Sequence, residues 1–458
     1  MSLAPGGRVV VIGGGLAGVS LAEALRAGGH GGPIAIVDRE PAFTDRPPLS
    51  KAAFVDDAPI EELALLTPDR IAELGIDARH GRNAVALDAA ARTVELDDGT
   101  VLPADAIVLA TGGRARRLAF PGGDSPLVHT LRTYADARAI RAAAAPGARI
   151  LVVGAGLIGA ELASSLRAVG ADVVLVDPHP VPLVPAVGGR IAGILHAMHA
   201  AHGVDVRVGG IAALEDGEHA GQADAPSRPL ASRPGSADGA RTPGQEDERP
   251  PLRSPGSAPV PAPGRRATAV LNDGGRIEVD AVVLGVGILP GTELAEAAGL
   301  EVDDGIVVDA RFRTSVAGVY AIGDVARPRA VDGSLPRRDE HWEAARLDGE
   351  ALAAILLGQE PAPRGAGWWW SDRYGVHVEG VGRMDGDGEI VLREPVDAGG
   401  GYPVAFLLAG GRLAGAVSID EPNAVRAARR LIDQGVPVTA TLLADPSSSL
   451  RDLLRAAR

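Results

Sequence analysis

The sequence predicts an α/β fold with two domains of parallel βαβ units and a carboxy-terminal α+β domain. One pattern of strand, glycine-rich turn, helix and strand occurs twice, over residues 8–38 and 149–177, and the pattern changes after residue 326. Repeated βαβ units form parallel sheets, because their crossovers are right-handed. The 61 glycines and the aromatic content of only 3 % indicate many turns and cores of aliphatic side chains.

The composition excludes several classes of function. The chain of 458 residues has no cysteine, so disulfides, thiolate metal sites and thiol redox chemistry are impossible, and redox work would need a bound cofactor. The net charge of −14 disfavours nucleic acid and anionic lipid as partners. The amino terminus does not resemble a signal peptide, and no apolar run approaches the roughly 18 residues that span a bilayer. We expect a cytoplasmic protein that binds neither nucleic acid nor membrane.

The first glycine-rich turn follows an apolar strand and opens a helix. Gly13 permits the tight turn, Gly15 leaves room for a pyrophosphate, and Gly18, one residue after Ala17, lets the helix pack on the strand. The helix N-terminus supplies N–H donors and the positive end of its dipole. Asp38 ends the next strand, where an acid accepts from a ribose hydroxyl. A glycine turn alone can simply end a strand, but this complete order predicts a Rossmann-like dinucleotide site.

The second turn repeats this arrangement with Gly154, Gly156, Leu157, Ile158 and Gly159. Asp177 closes the strand that follows. Its carboxylate repels a 2′-phosphate and accepts from a free 2′-hydroxyl, and only His179 is close in sequence as a weak cation candidate. We therefore expect NADH to be preferred over NADPH at this site.

The two sites and the change after residue 326 suggest a domain division. We expect a discontinuous first dinucleotide domain over 1–117 and 291–331, a second over 118–290, and the α+β domain over 332–458. About 215–266 is rich in Pro, Gly, Ser, Ala and Arg, which predicts a disordered surface insertion. A binding tail is the alternative, although its acidic and basic residues are interspersed.

Two such sites in one chain resemble the two-dinucleotide-binding-domain flavoproteins, which carry FAD on the first site and NAD on the second. Three motifs support this resemblance: Ala110-Thr111-Gly112-Gly113, Thr314 with Val319–Asp324, and Gly285–Pro290. Four local signatures resemble the ferredoxin, putidaredoxin and rubredoxin reductases of oxygenase systems: Arg46–Lys51, Thr111–Arg116, Leu131–Thr133 and Trp370–Asp372.

The resemblance implies transfer of electrons from NADH through bound FAD to a ferredoxin-type iron-sulfur protein, with a P450 or ring-hydroxylating oxygenase downstream. It also implies that Lys51 and Glu161 pair at the reactive edge of the flavin, with Trp342 shielding that edge or relaying electrons. Further cofactor contacts are expected from Arg46, Ala84, Ala110, Thr111, Arg132, Gly287, Gly323, Asp324 and His341. In the structural alternative, Lys51 is a surface lysine and Glu161 is an acid favoured by the helix dipole.

The chain departs from the family pattern at two points. Arg373 stands where the family usually has Gln after Ser-Asp, and the insertion interrupts the second domain. Related disulfide reductases place cysteines beside the flavin, whereas Leu49-Ser50-Lys51 occupies that region here. Electrons on the flavin must leave by a route without thiols.

Three further clusters have a structural and a functional interpretation. Trp368–Trp370 favours packing in a core or domain interface. His196, His199 and His202 recur every three residues without an accompanying carboxylate or thiolate, which favours a helix surface over a metal site. Arginines near the FAD motifs are either solvated or form a docking surface for an acidic ferredoxin: Arg114, Arg116, Arg117, Arg327 and Arg329.

Two other functions share the predicted fold. The electron acceptor could be a quinone or another small molecule, which predicts fast turnover without a protein partner. Alternatively, the NADH-reduced protein could change its association with other proteins, as in apoptosis-inducing factor, which predicts a long-lived reduced complex with NAD.

Overall fold

The computed structural model describes residues 3–216, 266–396 and 400–456. The predicted insertion at about 215–266 lies almost entirely outside the described residues. Within the described ranges, no helix has the length and apolar character needed to cross a membrane.

The elements follow the chain in this order. From residue 3 to 117 they are β1 (Val9–Ile12), α1 (Leu16–Ala27), β2 (Ile34–Asp38), α2 (Ala52–Val55), α3 (Pro68–Glu73), β3 (Ile76–His80), β4 (Ala84–Asp88), β5 (Thr93–Leu96), β6 (Val101–Pro103), β7 (Ala106–Leu109) and β8 (Gly113–Ala115). From residue 118 to 290 they are β9 (Val128–Thr130), α4 (Tyr134–Ala143), β10 (Arg149–Val153), α5 (Leu157–Ala168), β11 (Asp172–Asp177), α6 (Val184–Val187), α7 (Gly189–Ala201), β12 (Asp205–Val208), β13 (Ile211–Asp216), β14 (Ala267–Leu271), β15 (Arg276–Val279), β16 (Ala281–Leu284) and β17 (Ile288–Pro290).

The remaining elements lie after residue 290. They are α8 (Glu293–Ala297), β18 (Ile306–Val308), β19 (Val319–Ala321), β20 (Ala326–Pro328), α9 (Trp342–Leu356), β21 (Trp368–Arg373), β22 (Val376–Gly382), β23 (Glu389–Arg393), β24 (Val404–Ala409), β25 (Arg412–Ile419), α10 (Pro422–Asp433), α11 (Ala440–Ala444) and α12 (Leu450–Ala456).

Two five-stranded parallel sheets share the arrangement of four strands and differ in the edge strand, which is the last strand of the first sheet along the chain and the first strand of the second. The strand order is β3-β2-β1-β7-β19 in the first sheet and β12-β11-β10-β16-β9 in the second. The first strand of each glycine motif, β1 or β10, therefore lies at the centre, and its side chains are almost completely buried. Ligands of such sheets bind beyond the carboxyl ends of the strands, next to the central strand where the order reverses. This arrangement confirms the predicted α/β architecture and places both glycine turns at the binding edge.

Helix α9 packs on α1 and so connects the segment after residue 331 to the domain of the first sheet. It crosses α1 so closely that a Cβ on Gly349 would lie 2.5 Å from the carbonyl oxygen of Ala17, so only glycine fits there. Leu352 and Leu356 of α9 join the same apolar core as Leu21 and Leu25 of α1.

A five-stranded antiparallel sheet, in the order β21-β22-β25-β24-β23, forms the carboxy-terminal part of the protein. Helix α10 packs on it through Val425, Ala428 and Leu431, which are fully buried. The predicted carboxy-terminal α+β domain is thereby confirmed as a fold class. Strands β8 and β17 pair antiparallel and bring the two connections between the parallel sheets together. The domain limits at residues 117, 290 and 331 stay a prediction.

Candidate functional site

The first glycine turn is fixed by its own backbone. Gly13 has a φ of +113°, and its N–H donates to the carbonyl oxygen of Val37 at 2.8 Å. A Cβ on Gly18 would lie 2.2 Å from the carbonyl oxygen of Gly13. Gly15 differs, because the nearest atom to a Cβ there would be Nη1 of Arg46, 3.6 Å away. Gly13 and Gly18 are therefore needed by the fold, while Gly15 faces open space.

The second turn has equivalent contacts. Gly154 has a φ of +98° and donates to the carbonyl oxygen of Val176 at 2.8 Å, and a Cβ on Gly159 would lie 1.9 Å from the carbonyl oxygen of Gly154. A Cβ on Gly156 would have no neighbour within 4 Å. Leu157 and Ile158 start α5 beside this open position, and Ile158 is exposed.

In each βαβ unit, the acid that ends the second strand accepts a hydrogen bond from the glycine turn of the same unit. Asp38 accepts from the N–H groups of Gly14 and Glu40, and Asp177 accepts from the N–H of Ala155 at 2.8 Å. Each carboxylate therefore ends its strand beside its turn, where the sequence predicts a ribose contact. The matched contacts show that the two turns are copies of one dinucleotide-binding arrangement. Each glycine turn with its acid forms one dinucleotide cradle.

Two arginines meet beside Gly112, and Arg46 also approaches the first turn at Gly15. Nη1 of Arg46 and Nη2 of Arg132 would lie 3.5 Å and 3.3 Å from a Cβ on Gly112. Arg132 donates to the carbonyl oxygen of Gly113 at 2.9 Å and to Asp324 Oδ2 at 2.8 Å. Burial, together with the charge of Arg132, lowers the pKa of Arg46 to about 10.

These arginines line one cleft with Gly14, Gly15 and Asp38. The cleft combines two guanidinium groups, an open glycine turn and the N-terminus of α1. Such a set of donors suits a pyrophosphate, which is doubly charged and binds at helix N-termini. The residues present therefore fit the FAD that the resemblance implies.

The predicted second FAD motif is joined to this cleft by the ion pair of Asp324 with Arg132. The N–H of Gly323, which has a φ of +70°, donates to Asp348 Oδ2 at 3.0 Å. Burial raises the pKa of Asp348 to about 6, although Arg364 pairs with it. Asp324 follows directly and faces Arg132. Thr111 donates through Oγ1 to the carbonyl oxygen of Gly291 at 2.7 Å, which ties the motif after β7 to the segment after β17.

The other predicted cofactor residues lie around these turns. The N–H of Ala110 donates to the carbonyl oxygen of Ile12 at 2.8 Å, and Ala17 is buried in α1. Ala84 starts β4, shortly after Arg82, whose N–H donates to the carbonyl oxygen of Asp38. Gly287 precedes β17, and His341 is the N-cap residue of α9, where burial lowers its pKa.

Lys51 and Glu161 meet in a buried polar cluster. Nζ of Lys51 lies 3.6 Å from Glu161 Oε1 and 2.8 Å from Asp372 Oδ2. The hydroxyls of Ser50 and Ser371 each donate to Glu161 at 2.6 Å, and Glu161 is only 5 % exposed. Two distant parts of the chain, residues 50–51 and Ser371, thus meet at the carboxylate of Glu161, and the structure brings the predicted pair together.

Sequence reasoning did not assign roles to Ser50, Ser371 and Asp372. One compositional signal does point to their neighbour. The chain has 45 lysine and arginine residues, and Lys51 is the single lysine among them. Every other residue in that count is arginine, which sets Lys51 apart from the remaining cationic side chains of the chain.

Arg373 lies behind this cluster. It is 3 % exposed and donates from Nη2 to the hydroxyl of Ser371 at 3.0 Å, while its Nε has no hydrogen-bond partner among the described residues. Burial lowers the pKa of Arg373, and the charge of Glu161 opposes this. Where the family usually has a neutral Gln, this chain therefore has a buried cation, which bonds to Ser371 next to Glu161.

Trp369 packs in a hydrophobic core, whereas Trp370 and Trp342 lie beside the polar cluster around Lys51. Trp369 is buried in a core, as the packing interpretation predicts. Trp370 lies with its ring centroid 4.9 Å from Lys51 Nζ, stacks on Trp368 and meets Trp342 edge-on at 5.8 Å. Trp342 is held by a hydrogen bond from Nε1 to Asp45 Oδ1 at 3.0 Å.

The prediction that the three histidines lie on a helix surface is wrong for His199. This residue is 1 % exposed, and its Nδ1 lies 2.7 Å from the hydroxyl of Tyr374. Burial lowers the pKa of His199 to about 3, and His202 stacks on the same tyrosine ring. The carboxy-terminal domain covers this face of α7, which periodicity could not reveal. Across the described residues, no group of three or more His, Asp or Glu could hold a metal ion.

The predicted arginine surface is largely paired within the chain. Arg114, Arg327 and Arg329 form ion pairs with Glu293, Asp303 and Glu301. The guanidinium groups of Arg116 and Arg117 donate to the backbone carbonyl oxygens of Ile288 and Val128. These pairs reduce the net positive charge offered to an acidic partner.

The two dinucleotide-binding turns and the Lys51–Glu161 pair fit an oxidoreductase that works with FAD and NAD(H). A family model described as pyridine nucleotide-disulphide oxidoreductase matches residues 7–219 and 259–349, and one described as reductase C-terminal matches residues 368–454. The chain belongs to the pyridine nucleotide-disulphide oxidoreductase family, which confirms the predicted resemblance.

Curated relatives and a solved structure show which members of the family the chain resembles. The chain is 32 % identical over 449 residues to the benzene 1,2-dioxygenase system ferredoxin–NAD(+) reductase subunit of Pseudomonas putida, with 98 % of each chain covered. It is 32 % identical to the putidaredoxin reductase of Pseudomonas putida, over 98 % of this chain and 97 % of the relative. A crystal structure of a covalent putidaredoxin reductase–putidaredoxin complex matches with a TM-score of 0.82 and 30 % identity, covering 98 % of this chain and 99 % of that one.

Proposed function

We propose that this protein transfers electrons from NADH, through bound FAD, to a ferredoxin-type iron-sulfur protein that serves a P450 or ring-hydroxylating oxygenase. The observation that carries the proposal is the Lys51–Glu161 pair, which lies between two dinucleotide cradles in a chain without cysteine. Relatives similar over nearly the whole chain are ferredoxin reductases of dioxygenase systems. Without a thiol beside the flavin, electrons pass outward directly.

Different side chains bind the cofactors and orient the charged groups of the site. Arg46, Arg132 and the open turn at Gly15 would hold the pyrophosphate of FAD, and the open position at Gly156 would leave the matching space for NADH. FAD supplies the chemistry that accepts a hydride and releases single electrons. The ammonium of Lys51 stabilises negative charge near it, and the two serine hydroxyls hold Glu161 in place. Trp342 and Trp370 meet edge-on beside Lys51 and would limit access of water to its ammonium group.

The preference for NADH is assigned to Asp177. Its carboxylate is held beside the second turn by Ala155, and its described contacts include His179 but no arginine. A 2′-phosphate placed there would meet a negative charge without a compensating cation.

Asp177→Ala is expected to reduce the ratio of kcat/KM for NADH to that for NADPH by about tenfold, because the repulsion and the ribose contact are both lost. Steady-state kinetics with both nucleotides measure this ratio. Asp205→Ala is the matched control, since Asp205 starts the neighbouring strand and pairs with Arg207 on the surface. A ratio that does not change in Asp177→Ala would contradict the assignment.

The proposed acceptor is tested with purified, FAD-loaded protein, NADH and cytochrome c, with and without a candidate ferredoxin encoded near this gene. We expect the ferredoxin to increase cytochrome c reduction at least about tenfold, because single electrons leave through a protein partner. Equal rates in both reactions would favour a small-molecule acceptor. A reduced protein–NAD complex that persists in the presence of ferredoxin would favour the interaction-protein alternative.

A further inference from the structure

The backbone turn of the second FAD motif packs on the helix that follows the first glycine turn. Gly323 and Asp324 come directly after β19, so they lie at the carboxyl edge of the first parallel sheet, where ligands of such sheets bind. A Cβ on Gly323 would lie 2.9 Å from the Cβ of Ala17, two residues after Gly15. A movement of this turn would therefore change the cleft that the first glycine turn opens.

Asp348 on α9 holds the beginning of this turn. Its Oδ2 accepts from the N–H of Gly323 at 3.0 Å, and its Oδ1 accepts from Nη1 of Arg364 at 2.8 Å. Asp348 is 6 % exposed, whereas the side chain of Arg364 is 39 % exposed. Because Gly323 is buried and a buried backbone N–H needs an acceptor, this carboxylate fixes the place at which the turn leaves β19.

Arg338 holds the end of the same turn. Its Nη1 donates to the carbonyl oxygen of Asp324 at 2.5 Å and lies 2.8 Å from Glu340 Oε1. The side chain of Arg338 is 5 % exposed, and a Cβ on Gly305 would lie 2.6 Å from its Cδ, so it is closely packed where it reaches the turn. The carboxylate of Asp324 pairs separately with Arg132, which lines the cleft. Buried ionic side chains thus fix both ends of the turn, and its acid reaches the cleft.

The stability of the fold does not explain an ionised carboxylate at residue 348. Burial raises the pKa of Asp348 to about 6, although Arg364 pairs with it. A carboxyl group whose pKa is raised by folding favours the folded state less when it is ionised, so its contribution to stability falls as the pH rises to about 6 and stays low above that pH. At neutral pH the charge of Asp348 therefore destabilises the folded state, which is typical of residues that serve a site.

We propose that Asp348 and Arg338 are positioning residues for FAD, which hold the Gly323–Asp324 turn in the shape that receives the cofactor. The two side chains lie outside both dinucleotide cradles, in the segment after residue 331. Affinity for FAD then depends on this segment as well as on the glycine turn. The inference rests on the FAD binding in the proposed function and is independent of the electron acceptor.

The proposal is tested by the release of FAD from the loaded protein, at a pH above the pKa of Asp348. Serial dilution with detection of flavin fluorescence gives the dissociation constant of FAD, and visible circular dichroism reports the surroundings of the bound flavin. Asp348→Ala removes the acceptor, Asp348→Asn keeps one oxygen, and Arg338→Met removes the donor to Asp324. Glu350→Ala and Arg346→Met are the matched controls, because these two residues pair with each other elsewhere on α9. Far-ultraviolet circular dichroism checks that each variant is folded.

We expect Asp348→Ala and Arg338→Met to raise the dissociation constant of FAD at least about tenfold and to change the visible spectrum of the flavin, whereas both controls match the wild type. Asp348→Asn should stay within about threefold of the wild type, because its carbonyl oxygen still accepts from Gly323. If Asp348→Ala does not fold, Arg338→Met and Asp348→Asn decide the question.

Wild-type affinity in Arg338→Met and in a folded Asp348→Ala would overturn the inference and leave the proposed function standing. An Asp348→Asn variant that releases FAD as readily as Arg338→Met would also overturn it, since the retained acceptor would then have no effect. A wild-type protein that binds no FAD would overturn the proposed function and this inference together.

Discussion

Replacement of Lys51 with methionine is expected to slow reduction of the bound flavin by NADH by about a hundredfold, because a preorganised charge at the reacting edge is lost. Methionine fills similar space without the ammonium group. Glu161 keeps its hydrogen bonds from Ser50 and Ser371, with Arg373 close behind, so its buried charge is not left unpaired. The variant should therefore fold and stay yellow.

Anaerobic stopped-flow measurement of flavin bleaching gives this rate, and the flavin spectrum gives the FAD content. Lys51→Arg is the matched control for charge, and we expect it to recover most of the rate of hydride transfer. If Lys51→Met bleaches as fast as the wild type, Lys51 has no part in flavin reduction. Loss of FAD from Lys51→Met would instead assign the residue to cofactor binding.

A pair of alanine substitutions should separate ligand binding from folding at the first glycine turn. Gly15 has an extended backbone with a φ of −72°, and a Cβ there meets nothing closer than 3.6 Å. Gly15→Ala should therefore fold with normal stability, but its methyl group takes the space of the pyrophosphate. We expect its affinity for FAD to fall at least about a hundredfold, so that the purified protein is colourless.

Gly18→Ala is expected to impair folding itself, whereas Gly15→Ala impairs only FAD binding. Its Cβ would lie 2.2 Å from the carbonyl oxygen of Gly13 and 3.0 Å from Val11 Cγ1, so the helix must move away from the strand. We expect a loss of about 3 kcal/mol in the free energy of unfolding, measured on the FAD-free protein by denaturant titration. If Gly15→Ala keeps FAD while Gly18→Ala keeps its stability, the assignment of this turn is wrong.

The parts of the site that local sequence encodes are predictable. A strand, a glycine turn, a helix and a final acid are contiguous, and each has a recognisable residue pattern, so the residue pattern alone places both cradles. The pairing of Lys51 with Glu161 comes from family resemblance, since no local pattern links residues so far apart in the chain. The burial of His199 escapes sequence reasoning, because the tyrosine that covers it lies 175 residues further along the chain.

The sequence by itself determined the α/β architecture, the two dinucleotide sites and the exclusion of thiol chemistry, because these depend on short contiguous patterns and on composition. Tertiary structure alone decided that Lys51 meets both Glu161 and Asp372, that Arg373 is buried beside Ser371, and that most of the five arginines near the FAD motifs are paired. Lys51 and Asp372 are separated by 321 positions in the chain, and they meet only because the carboxy-terminal sheet packs against both parallel-sheet domains. Such contacts arise from the packing of whole domains, which no local pattern encodes.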